Sequence, residues 1–125
     1  SWMDGHEKGL YYPVENIDAI SAVRQYGKAF DVLLFCWPVV THDVIAAVDI
    51  WGQNKDVVFI GEVTDYSKNH FGGCATNDFF TQTSVIQKFN SYKGNSIEQA
   101  LVLHYTPQPG FTPKSDFPTF KKLKV

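Results

Sequence analysis

The sequence predicts an α/β fold built on a short, mostly parallel β-sheet, and three observations lead to this prediction. Residues 30–37 and 57–60 are nearly continuous apolar runs, which is typical of strands whose two faces are both covered. Residues 42–51, between these runs, carry apolar side chains at helical spacing. A strand, a helix and a second strand in this order form a right-handed β-α-β unit. We therefore expect helices on both faces of the sheet, in a three-layer sandwich.

The first two helices are marked by apolar spacing and by the residues at their ends. The first is expected over residues 16–26, where Gly27 supplies the stop and the apolar positions are Ile17, Ile20, Val23 and Tyr26. The second is expected to begin near Thr41, a typical N-cap residue, and to end at Gly52. Its predicted buried positions are Val44, Ala47, Val48 and Trp51.

The second half of the chain is expected to add one helix and two strands. Thr76 or Asn77 is the expected cap of a third helix that ends before Gly94, with inward residues Phe80, Ile86, Phe89 and Tyr92. Residues 100–105 are predicted to form a buried strand, and the Pro-rich residues 106–119 an extended connection. Residues 120–125 are expected to return as an antiparallel C-terminal strand whose lysines protect the sheet edge.

Composition narrows the domain organisation and the classes of partner. Residues 1–9 are polar and are expected to be a flexible segment of a single domain covering residues 1–125. The formal net charge of −2 argues against a broad phosphate-binding face, so we do not expect a nucleic-acid partner. No apolar stretch approaches the roughly 20 residues that span a bilayer, so no membrane association is expected. Two cysteines do not form a disulfide framework, which favours a reducing, cytoplasmic location.

Four short segments carry a resemblance to a known family. They are Tyr-Pro-Val-Glu at 12–15, Asp-Val-Leu-Leu-Phe-Cys-Trp-Pro at 31–38, Val-Phe-Ile-Gly-Glu at 58–62 and Gly-Gly-Cys-Ala-Thr-Asn-Asp-Phe-Phe at 72–80. Together they resemble a group of Rossmann-like proteins related to class I S-adenosylmethionine-dependent methyltransferases. In that group, Trp-Pro-Pro-Tyr follows the fourth strand, Gly-Glu follows the fifth, and Gly-Gly-Cys-Thr precedes the next helix. The resemblance implies a Rossmann-like three-layer fold and S-adenosylmethionine as the cofactor.

Two departures from the family pattern bear on function. Val39 and Val40 follow Trp37-Pro38, so the second proline and the tyrosine are absent. The sequence also contains no Gly-x-Gly turn, the element that approaches the cofactor after the first strand of such folds. The resemblance therefore implies the C-terminal half of the fold, truncated relative to a full methyltransferase and expected to be a fragment or a half-site.

The predicted strand ends select the candidate binding residues, because ligands of open α/β sheets bind beyond the carboxyl ends of the strands. These candidates for cofactor or substrate binding are Trp37, Pro38, Glu62, Gly72, Gly73, Asn77 and Asp78. Trp37 either stacks on a flat ligand or caps the core at a strand end. Glu62 either binds a hydroxyl or acts as a base, or it caps a helix or pairs with a lysine. The two glycines either present N–H groups to an anion or form a tight loop.

Metal binding and nucleophilic catalysis are not expected from this sequence. Cys36, Cys74, His42 and His70 are the available ligands, and they lack the close paired spacing of structural zinc sites. A nucleophile pair of Cys74 with His70 or His42 lacks an evident third group to orient the base. No catalytic residue is assigned from the sequence.

Two functions from different classes are carried forward. The first is a methyltransferase-like Rossmann domain, in which Trp37 and Pro38 border the substrate and Glu62 frames the pocket. The second is a non-catalytic scaffold derived from that fold, which acts in protein–protein interaction or self-assembly. A half-sized sheet leaves an exposed edge near its first strands, and self-association would bury it, so a homodimer is also expected.

Overall fold

Helices and strands alternate through the first half of the chain, and two strands follow one another near its end. A computed structural model describes residues 14–64, 67, 69, 73–94 and 97–116. The elements in chain order are α1 (Ala19–Tyr26), a 3-10 turn (Gly27–Ala29), β1 (Val32–Cys36), α2 (Asp43–Trp51), β2 (Asp56–Glu62), α3 (Asn77–Thr81), β3 (Thr83–Lys88) and β4 (Glu98–Tyr105). The α/β class is confirmed. No helix of the described ranges is long and apolar enough to cross a membrane.

Helix α1 begins at a capping aspartate and ends against α2. The Asp18 carboxylate accepts hydrogen bonds from the backbone N–H of Ser21 at 2.9 Å and from its hydroxyl at 2.8 Å. Gly27 does not stop the helical backbone, which continues as the 3-10 turn to residue 29. A Cβ at Gly27 would lie 3.3 Å from Val23 Cγ1 and 3.6 Å from Trp51 Cε3. Glycine at this position therefore permits close packing of α1 on the last residue of α2.

The sheet has four strands in the order β1-β2-β4-β3. Strands β1 and β2 are parallel, whereas β2–β4 and β4–β3 are antiparallel pairs. The prediction of a mostly parallel sheet is therefore wrong, and the sheet is mixed. The last described strand is antiparallel, but it lies between β2 and β3 and not at an edge. The strands predicted at residues 10–12 and 120–125 lie outside the described residues.

The core lies on one face of the sheet. The strand residues of this face, packed together with buried residues of all three helices, are Leu33, Phe35, Val57, Phe59, Leu101, Leu103 and Tyr105. On the opposite face, the register places Leu34 beside Val58 and Val58 beside Val102. Leu34 is 58% exposed and Val32 is 49% exposed. The expected burial of both faces of β1 is wrong, because β1 is an edge strand and the described helices leave one face uncovered.

The third helix, predicted to be capped by Thr76 or Asn77 and to end before Gly94, is confirmed at its N-cap Thr76 but is wrong in its length. Helix α3 has five residues, and the chain turns at Gln82 into β3. β-branched residues at Thr83, Val85 and Ile86 explain the change, because they fit a pleated strand better than a helix interior. Ile86, which helical spacing assigned to the core, is 55% exposed. Helix α2 is confirmed, although its N-cap is His42 and not Thr41.

Substitution of the fully buried Phe59 tests whether the core lies on one face of the sheet. Its ring centroid lies 5.4 Å from that of Phe79 and 5.6 Å from that of Phe80. We expect Phe59→Ala to lower the free energy of unfolding by about 3–5 kcal/mol, because it removes apolar burial and leaves a cavity. Phe89→Ala, at a residue that is 37% exposed, is the matched control and is expected to cost about 1 kcal/mol or less. Urea unfolding of both variants measures the difference, and equal losses would contradict this account of the core.

Candidate functional site

A crevice with a mixed polar and apolar lining lies beyond the carboxyl ends of the two parallel strands. Because β1 and β2 run in the same direction, the residues that follow them meet at one edge of the sheet. The start of α3 closes the crevice, whose volume is about 450 Å³. Its lining residues are Val40, His42, Thr64, Ala75, Thr76, Asn77 and Asp78. This is the position at which open α/β sheets bind their ligands.

Backbone and side-chain hydrogen bonds attach the chain before α3 to the end of β2. Cys74 donates its N–H to the Glu62 carbonyl at 2.9 Å, and the Cys74 sulfur accepts from the Glu62 N–H at 3.4 Å. Gly73 donates to Thr64 Oγ1 at 3.0 Å. A Cβ at Gly73 would lie 2.7 Å from both the Glu62 carbonyl oxygen and the Thr64 nitrogen. Gly73 is thus required by close approach of two backbones, which matches the tight-loop interpretation.

Trp37 adopts a left-handed backbone conformation immediately after β1. Its φ is +51°, a region that bulky residues rarely occupy. Its N–H donates to the Ile60 carbonyl at 2.7 Å, which extends the β1–β2 pairing by one residue. The side chain is 45% exposed and does not belong to the buried core. Trp37 and Pro38 therefore lie at the expected strand end, but Val40 and His42 of the same connection line the crevice.

The other five predicted site residues fall into three groups. Asn77 and Asp78 line the crevice, as expected for residues at the beginning of α3. Glu62 and Gly73 form the attachment beneath it and are not among its lining residues. Gly72 lies outside the described residues.

The main site residue that sequence reasoning missed is the acid that contacts His42. The His42 backbone N–H donates to Asp116 Oδ2 at 2.7 Å, and His42 Nδ1 lies 3.3 Å from both Asp116 carboxylate oxygens. Asp116 N–H and Ser115 Oγ each donate to Asp43 Oδ1 at 2.9 Å. These bonds hold residues 115–116 against the start of α2. A separation of 74 residues along the chain gives no local sequence pattern that could indicate the contact.

Two other acids accept hydrogen bonds from hydroxyl groups. Asp78 Oδ1 accepts a hydrogen bond from the Thr76 hydroxyl beside it. Asp49 accepts a 2.7 Å hydrogen bond from the buried Tyr105 hydroxyl. Burial first, then the Asp49 carboxylate and the negative charge of Asp78, raise the pKa of Tyr105. Tyr105 therefore remains a protonated hydrogen-bond donor to Asp49.

The described residues contain no group of three His, Cys, Asp or Glu side chains that could hold a metal ion. The ring of His42 contacts Asp116, and Cys74 Sγ contacts the Glu62 N–H. The proposed partner His70 lies outside the described residues. For S-adenosylmethionine, the fit is incomplete. The crevice offers polar groups, but the 125 residues include no Gly-rich turn of the kind that cradles a nucleotide.

Fold and site together define an α/β domain with a mixed sheet and a crevice at the ends of its parallel strands. Comparison of the chain with protein-family models, with curated proteins and with solved structures gives no match.

Removal of the Asp116 charge tests the contact with His42. The His42 backbone N–H, followed by its side chain, lowers the pKa of Asp116. The carboxylate therefore stabilises the fold above its unfolded-state pKa, and this contribution is lost as the pH falls through the lower folded-state pKa. We expect Asp116→Asn to destabilise the protein at pH 7 and to have no such effect in strong acid. Denaturant unfolding at both pH values measures this.

The neutral, exposed Thr112 of the same segment provides the control, because Thr112→Ala removes no charge. It should leave stability unchanged at both pH values. A loss in Asp116→Asn that is as large in strong acid as at pH 7 would contradict an electrostatic role for Asp116.

Proposed function

We propose that this chain forms the C-terminal half of a Rossmann-like methyltransferase fold, and that its crevice borders the methyl acceptor. The strand order carries the proposal. In a doubly wound sheet of order 3-2-1-4-5-6, the fourth and fifth strands are parallel neighbours. The methyltransferase variant inserts an antiparallel last strand between the fifth and the sixth. The order β1-β2-β4-β3, with β4 antiparallel to both of its neighbours, corresponds to that half of the sheet.

The uncovered surfaces support the same proposal. Among the described strands, β1 has a neighbour on one side only, and its other edge lies where the first strand of a complete sheet would pair. The exposed Val32 and Leu34 lie on the face that the second helical layer of a three-layer fold would cover. Under this proposal, the N-terminal half of the fold supplies the third layer and the cofactor cradle. The present residues supply the acceptor side.

The cofactor product S-adenosylhomocysteine tests the proposal. Because the chain lacks the Gly-rich turn, we expect weak, saturable binding, with a dissociation constant on the order of 1 mM. Amide chemical shifts of Trp37, Asn77 and Asp78 are expected to move during the titration. Resonances of the β3–β4 strands provide the control and should stay fixed. Trp37→Ala should weaken the binding. The proposal is wrong if no shift occurs near the crevice at millimolar ligand.

A second function, a scaffold that assembles with another copy of itself, is favoured by one observation. The sheet face opposite the helices carries the exposed apolar side chains Val32 and Leu34, next to an edge of β1 that pairs with no other strand of the described ranges. Association through this surface would remove apolar area from water and pair the edge. This function does not require the crevice.

Light scattering distinguishes the scaffold. If this face mediates assembly, the mass should rise from monomer to dimer across micromolar concentrations, and Leu34→Glu should return it to the monomer. Val39→Glu is the matched control, since Val39 is 77% exposed in the connection after β1 and lies outside the sheet. A monomeric mass at all concentrations would exclude the scaffold in its self-assembling form.

A further inference from the structure

We infer that His42, oriented by Asp116, is the proton acceptor of the crevice, and that the ligand it serves is a small neutral molecule with neighbouring hydroxyl groups. The statement that this ligand is the methyl acceptor rests on the proposed function. The chemical class of the ligand is inferred from the geometry of the crevice. Three properties of the site carry it: the state of the His42 ring, the charge of the lining and its balance of donors and acceptors.

Asp116 determines which nitrogen of the His42 ring carries the proton. A carboxylate can only accept, so Nδ1, 3.3 Å from both Asp116 oxygens, is the donor of this pair. In the neutral ring, Nε2 is then the acceptor. The ring makes no other hydrogen bond with the described residues, and His42 lines the crevice. The same arrangement, with an aspartate on Nδ1 and a free Nε2, lets histidine remove the proton of a hydroxyl in serine hydrolases.

The charge of the described lining residues favours a neutral ligand over a phosphate. Asp78 is the one acidic side chain among the lining residues, and neither lysine nor arginine is among them. With Asp116 behind His42, a phosphate bound by the described lining residues would meet negative charge and neither lysine nor arginine.

The balance of hydrogen-bonding groups favours hydroxyl donors. Asp78 has acceptor oxygens, one already used by the Thr76 hydroxyl, and His42 Nε2 accepts. Asn77 and Thr64 can each donate and accept. A ligand with one hydroxyl on His42 and a neighbouring hydroxyl on Asp78 would satisfy both acceptors. An alkylammonium would also donate, but Asp78 would stabilise its charged form and oppose the proton transfer to His42.

The chemical step couples one proton transfer to one substitution at carbon. The hydroxyl proton moves to His42 Nε2 as the hydroxyl oxygen forms a bond to an electrophilic carbon, the bond from that carbon to its leaving group breaks, and the imidazolium is held by the Asp116 carboxylate. The proton then leaves to solvent and restores the neutral ring. Activated ester probes such as p-nitrophenyl acetate test this step without any cofactor. Their acetyl group passes to the hydroxyl, p-nitrophenolate departs, and the bond to the leaving oxygen breaks.

The experiment uses glycerol as the smallest ligand with neighbouring hydroxyls, and 1-propanol and propylamine as its comparisons. Glycerol is expected to shift the amide resonances of Asn77 and Asp78 saturably, and Asp78→Asn to abolish the response. With p-nitrophenyl acetate, glycerol should increase p-nitrophenolate release until it saturates. His42→Ala should remove this glycerol-dependent rate by roughly a hundredfold, the usual contribution of a general base.

His104 provides the matched control. Its Nε2 lies 2.7 Å from Asp56 Oδ1, so it too is a histidine paired with an aspartate, but it is not among the residues that line the crevice. His104→Ala should retain the glycerol-dependent rate. Equal loss in the two variants, or absence of saturation by glycerol, overturns the inference.

The two proposals fail separately. If S-adenosylhomocysteine shifts the crevice resonances and glycerol does not, the acceptor assignment is wrong and the methyltransferase fold stands. A response to propylamine that exceeds the response to glycerol also overturns the assignment, in favour of an amine. If glycerol binds and reacts while S-adenosylhomocysteine does not bind, the assignment of His42 and Asp116 is supported and the methyltransferase relationship is wrong.

Discussion

The parallel pairing of β1 with β2 is the constraint on which the rest of the structure depends. Phe35 lies beside Phe59 and Leu33 beside Val57, so the apolar faces of the two strands coincide. Parallel neighbours need a crossover, and α2 supplies it while covering this shared face. Once the strands are parallel, their following residues must emerge at one edge. The crevice is therefore a consequence of topology, and its chemistry depends on which side chains occupy the two exits.

The short helix α3 is held in place by packing and not by its own helical preference. Five residues are too few to form a stable helix in isolation. Phe79 is fully buried, with its ring 5.4 Å from Phe59 and 6.3 Å from Phe35. This aromatic contact fixes the position of Asn77 and Asp78 at the crevice. The one-sided core thus contributes both to stability and to the alignment of the site.

The sequence predicted those parts of the structure that depend on local pattern. Alternating strand and helix patterns predicted β1, α2 and β2, and Asn77 and Asp78 were expected at the strand edge where they lie. An apolar run in the sequence does not show which strands and helices will pack against it, so the exposure of Leu34 could not be predicted. The spacing of Phe80, Ile86 and Phe89 satisfied a helical period, although of these three residues only Phe80 lies in a helix and Ile86 lies in the strand β3. Asp116 was not predicted as a site residue, because contacts between distant segments leave no periodic pattern in the sequence.

The contact between Asp116 and His42 has two parts, a backbone hydrogen bond with a structural role and a ring contact that we interpret as functional. To hold residues 115–116 against α2, the bonds to Asp43 and the 2.7 Å bond from the His42 backbone N–H would suffice. Those bonds would form equally well with many residues at position 42, because they use its backbone only. The ring contact adds something that attachment does not need, since it fixes the Nδ1 proton and leaves Nε2 as an acceptor. A group prepared in this way, on a residue that lines a crevice, is arranged to take a proton from a ligand.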